Sequence, residues 1–67
     1  MMTEPLYIRL QRLMAHKDIT QSELARRMGV TRHCVHAWYW GINEPNVEKL
    51  RQLRRIFGCS WEDLMGE

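Results

Sequence analysis

The sequence predicts an all-α domain of five short helices, and three observations carry that expectation. Apolar residues recur at helical spacing in successive stretches, Leu6-Leu10-Leu13-Met14 and Leu50-Leu53-Ile56-Phe57 being the clearest. Helix-starting residues stand ahead of the stretches, with Thr20, Thr31, Asn46 and Ser60 placed to cap. Glycines follow where helices should stop, at Gly29 and Gly58, and no segment reads convincingly as a strand.

The first helix is expected from about Pro5 to His16, with Thr3 or Glu4 as its cap and Pro5 in its first turn. Lys17-Asp18 breaks its pattern. Thr20-Gln21-Ser22-Glu23 fits a capping box, in which the Thr20 hydroxyl accepts the Glu23 amide while the Glu23 side chain reaches back. Leu24, Ala25 and Met28 form the inner face of this second helix, and Gly29 supplies the left-handed conformation that ends it. Thr31 caps a third helix with Val35 and Trp38 inward. Gly41 to Pro45 is a loop. Asn46 caps a fourth helix that turns Val47, Leu50, Leu53, Ile56 and Phe57 inward and keeps Lys49, Arg51, Arg54 and Arg55 on wetter faces. Ser60 opens a short fifth helix in which Trp61, Leu64 and Met65 close the core.

With 67 residues, the chain is read as one domain spanning 1–67, near the lower size limit for folding without a metal or disulfides. Its 45% hydrophobic and 27% charged residues mark a globular rather than a disordered chain. No long apolar run suggests a membrane span or a secretory signal, so no membrane partner is expected. Cys34 and Cys59 lie far apart without a CxxC spacing, which points to a reduced, cytoplasmic setting in a bacterium or for a phage product acting there. Ten Lys and Arg against eight Asp and Glu give a net charge of +2, a weak signal by itself. Distribution says more: Glu62, Asp63 and Glu67 crowd the C-terminal end, and the remainder is distinctly basic.

The segment from Thr20 to Gly41 carries the functional expectation. Two short helices joined by a turn as brief as Met28-Gly29-Val30 must sit at a steep angle, and that angle projects the second helix outward as in a helix-turn-helix. With Thr20-Gln21, Glu23-Leu24-Ala25, Gly29-Val30-Thr31, Val35, Trp38, Gly41, Pro45, Leu50, Leu53, Phe57-Gly58, Ser60 and Leu64 in this order, the chain resembles the Cro and phage-repressor type of helix-turn-helix domain, the XRE family, from about Leu6 to Met65. The resemblance implies a compact five-helix lambda-repressor-like fold that binds double-stranded operator DNA as a homodimer and regulates transcription, most simply as a phage-type repressor.

It also implies roles. Gln21 matches the residue that grips a backbone phosphate, and Thr31 and Arg27 join it as phosphate contacts. Arg32, His33, His36 and Ala37 match the base-reading positions of the recognition helix. Helical periodicity independently turns Arg32, His33 and His36 outward once Val35 and Trp38 face the core. Arg32 suits a bidentate contact to guanine, the histidines suit base edges, and Ala37 suits a thymine methyl. Histidine changes charge near neutral pH, so affinity is expected to vary with pH. The chain departs from the family's pattern in three places. Met14 and Tyr39 stand where the family usually has a partly buried Arg–Glu pair, a joint replacement that apolar packing can absorb. The loop Ile42-Asn43-Glu44-Pro45 lacks basic residues, and Trp40 stands where a polar phosphate contact is common.

Other readings are weighed on the same residues. Trp38, Tyr39 and Trp40 cannot all face inward, so an exposed aromatic is expected, and with Trp61 it suggests a protein-contact surface. A protein-binding module, partnering a toxin, a polymerase subunit or a regulator through Tyr39 and Trp40, is therefore the second reading. His33, Cys34 and His36 do not make a metal site, since a third and fourth ligand at suitable spacing are missing, and no cofactor is expected. No nucleophile stands beside a base and no carboxylate pair marks a pocket, so an enzyme is not expected.

Overall fold

Pro5, extended at φ −65° and ψ 156°, is the residue from which α1 (Leu6–Lys17) starts, and no side chain caps this end. The computed structural model describes residues 4–66; the Thr3 cap expected from the sequence lies outside them. Glu4 does not cap either. Its two carboxylate oxygens instead accept a bidentate pair from Arg12 on the next turns, at 2.9 and 2.6 Å. α1 ends at Asp18 in the left-handed region, where the Ile19 amide donates to the Met14 carbonyl and satisfies the helix end.

α2 (Gln21–Met28) and α3 (Arg32–Tyr39) follow, and the sequence located both closely. The Thr20 hydroxyl accepts the Glu23 amide at 3.1 Å, as expected, but the box is only half made. The Glu23 carboxylate faces forward and takes Arg26 and Arg27 at 2.6 and 2.8 Å, because two guanidiniums at i+3 and i+4 outcompete one backbone amide. The reciprocal box forms at α5 (Trp61–Met65), where Ser60 and Asp63 bond each other's amides. Thr31 accepts the Cys34 amide at 3.1 Å to open α3. Asn46 accepts the Lys49 amide at 2.9 Å to open α4 (Val47–Phe57).

All five helices feed one core. α1 contributes Leu10 and Met14, α2 Leu24, Ala25 and Met28, α3 Val35 and Trp38, α4 Leu53 and Phe57, and α5 Leu64. α1 packs against α3, α4 and α5, while α2 packs most extensively on α3 and also meets α4. Ala25 is buried in that α2–α3 layer, where a small side chain lets two helices approach. Met14 is buried and Tyr39 is half-buried against the core, so the pair that replaces the family's ion pair is accommodated as apolar packing.

Three expected core positions are corrected. Val47 is 61% exposed because the first turn of α4 carries it on the same outer stripe as Arg51 and Arg54, at i+4 and i+7. Trp61 and Met65 are 40% and 38% exposed; α5 has five residues, little more than one turn, and commits its inward direction to Leu64. Trp61 is covered from one side by the Arg54 guanidinium, 5.4 Å above its ring.

Candidate nucleic-acid interface

The outward face of α3 is built by what its inward face demands. Val35 and Trp38 are buried, which leaves Arg32, His33 and His36 exposed on the opposite side, lining one shallow concavity. α3 contains no Asp or Glu, so nothing on its own surface neutralises this concavity. Thr31 precedes Arg32 in the chain, with its hydroxyl oxygen accepting the Cys34 amide and the hydroxyl hydrogen left to donate.

α2 reaches the same place through its first residue. The Oε1 of Gln21 lies 3.3 Å from Nδ1 of His36, tying the start of α2 to the middle of the recognition face. Trp40 continues that face at i+4 from His36: the two rings meet edge-on at 6.4 Å, and Tyr39 meets Trp40 edge-on at 5.1 Å. Trp40 is 55% exposed, the surface aromatic that the Trp38-Tyr39-Trp40 run predicts.

The structure therefore brings together Gln21, Arg32, His33, His36 and Trp40, with Thr31 next to Arg32 and Tyr39 against Trp40, while it buries Ala37 and leaves Trp61 elsewhere. Ala37 was expected at base edges, but it is 6% exposed. Its carbonyl accepts the Ile42 and Asn43 amides, at 2.9 and 3.3 Å, which closes the end of α3. Arg27 is held by Glu23, whose carboxyl is pulled below its ordinary range by hydrogen bonds from Arg26 first and Arg27 second. Trp61 stands on α5, which packs on α1, and shares nothing with the α3 concavity. Glu44 lines a different cleft, with Pro5, Leu6 and Tyr7, and not the one formed by Arg32, His33 and His36.

Two contributors escaped the sequence reading. Gln11 donates from Nε2 to the Tyr39 carbonyl at 2.7 Å, anchoring the end of α3 to α1. Its partner is a backbone atom 28 residues away, and no local pattern signals it. Glu23 as an organiser of Arg26 and Arg27 was legible, since an acidic residue three and four positions ahead of arginines is a helix-pairing signal. Among the described residues, no three His, Cys, Asp or Glu side chains group as metal ligands. No described helix is long and apolar enough to cross a membrane.

A short helix packed on its predecessor across a turn at Gly29, and exposing a carboxylate-free face, is the arrangement of DNA-binding helix-turn-helix regulators. The chain belongs to the Cro/C1-type HTH DNA-binding domain family, whose model matches residues 9–66. This is a family of DNA-binding transcription regulators, not an enzyme class. Over 57 residues the chain is 32% identical to the HTH-type transcriptional activator BcrR of Enterococcus faecalis, a match covering 85% of this chain and 28% of that protein. Its fold matches the crystal structure of a transcriptional regulator from Listeria innocua with a TM-score of 0.88 at 24% identity, over 98% of this chain and 62% of that one. The chain thus spans less than two thirds of either relative's length.

Proposed function

We propose that this domain reads operator DNA sequence-specifically, with α3 in the major groove and the start of α2 against the backbone. The observation that carries this reading is the joined concavity of Arg32, His33 and His36 on a helix without carboxylates. Arg32 is long enough for a bidentate contact to guanine, and His33 and His36 face base edges. Gln21 and Thr31 present donors to phosphates at the amide-rich starts of α2 and α3. Arg27 adds positive charge at the flank while remaining bonded to Glu23, and the buried Ala37 takes no part.

On DNA the domain acts as a homodimer on two half-sites about 10 bp apart, within the bacterial cytoplasm. Occupying a promoter, it regulates transcription. A relative named as an activator removes any reason to assume repression, so the reading commits to operator binding and not to its sign. Selection from random duplex DNA tests it: a palindromic motif is the expected result, and enrichment of no motif sinks the proposal.

A second reading rests on the exposed apolar pair Trp40 and Ile42, 55% and 69% exposed, which would suit a protein contact. The two separate on salt. DNA binding weakens steeply as salt rises because neutralised phosphates release counterions, whereas a protein-only module binds no duplex even at low salt.

A further inference from the structure

The contact between Gln21 and His36 determines more than position. A neutral imidazole carries one N–H, and which ring nitrogen holds it is set by the hydrogen bond that the other makes or receives. Oε1 of Gln21 can only accept, so its placement 3.3 Å from Nδ1 requires the proton on Nδ1. The reverse amide orientation would aim the Gln21 NH2 at Nδ1 and turn the carbonyl oxygen outward, where it would meet a phosphate oxygen with no hydrogen between them. With NH2 outward and Oε1 inward, as found, both amide hydrogens stay free for a phosphate while Oε1 bonds His36.

That leaves Nε2 of His36 as a bare acceptor on the recognition face. Of its neighbours in the concavity, Arg32 can only donate, while neutral His33 carries one donor and one acceptor nitrogen. On the major-groove edge the hydrogen-bond donors are exocyclic amines, N6 of adenine and N4 of cytosine. Trp40, edge-on to the imidazole at 6.4 Å, limits its swing from the other side.

We infer that Gln21 locks His36 in its Nδ1–H tautomer, so that Nε2 accepts a hydrogen bond from an exocyclic amine of adenine or cytosine in each half-site. The inference rests on the DNA-reading function proposed above and specifies what one residue reads. It makes Gln21 a positioning residue for base selectivity as well as a phosphate contact.

Two measurements test it. Nitrogen-resolved imidazole spectra of the free protein should show the neutral His36 ring as Nδ1–H, and Gln21→Ala should lose that form. His36→Ala identifies its signals among those of His16 and His33. In the duplex selected by the unaltered protein, amines are then deleted one at a time, with purine replacing adenine and 2-pyrimidinone replacing cytosine. One position per half-site should lose about three- to tenfold in affinity, the range of a single net hydrogen bond. The same deletion should leave the affinity of the exposed-site variant His36→Ala unchanged. An Nε2–H spectrum in the unaltered protein overturns the inference, as does an amine loss shared equally by His36→Ala, which would be a duplex effect. Sensitivity to deletion of purine N7 in place of the amine would make His36 a donor and overturn it too. Failure to select any duplex shows itself before these probes are used, and it overturns the DNA-reading function along with the inference.

Discussion

Gly29 and Gly41 share a left-handed backbone, at φ 68° and 73°, yet an added methyl group would meet different surroundings at each. At Gly29 it would find open space, so Gly29→Ala is expected to cost only the strain of that conformation, about 1–2 kcal/mol. At Gly41 it would stand 2.7 Å from the Tyr7 ring. Gly41→Ala should lose that strain plus at least about 1 kcal/mol of overpacking, read as the larger drop in urea midpoint of the two. Arg32 tests function at the same scale. Arg32→Ala should cost on the order of 1–3 kcal/mol on the selected site and relax one base preference, with thermal stability unchanged because the side chain is exposed. Uniform loss across all sequences would make it a phosphate contact instead.

Among the helices, α2 shows how a local signal can be read correctly and still be incomplete. Thr20 caps as its position implies, so Thr20→Ala should lower stability by about 1 kcal/mol in chemical denaturation. Glu23 stabilises α2 through Arg26 and Arg27 and not through the cap, a choice among three competing donors that spacing alone does not rank. Its folded carboxyl titrates below the ordinary range. Its contribution is therefore present above the unfolded pKa and is lost as pH falls through the lower folded value. Because the group is at the surface, the difference in melting temperature between Glu23→Gln and the unaltered protein should be small at neutral pH and vanish in acid. α5 makes the complementary point: its start was legible in Ser60, but five residues cannot turn Trp61, Leu64 and Met65 inward together.

At the scale of the whole molecule, the core is small and every helix supplies part of it, so a single truncation should be felt throughout. Leu53 is fully buried, and Leu53→Ala should cost about 2–5 kcal/mol, a large share of what so short a chain can hold, seen as cooperative loss of helix signal on mild heating. The order of the helices, the caps of α2 to α5, the turn at Gly29 and most of the core were legible because each is written in residues a few positions apart. The outward trio Arg32, His33 and His36 was legible for the same reason, since burying Val35 and Trp38 leaves a short helix no other way to turn. Tertiary structure alone decided the rest. It buried Ala37, joined Gln11 to the Tyr39 carbonyl, and set Gln21 against His36. Each of these depends on how one element lies over another, and periodicity along a helix records only the direction of a side chain, not what the rest of the chain brings to meet it.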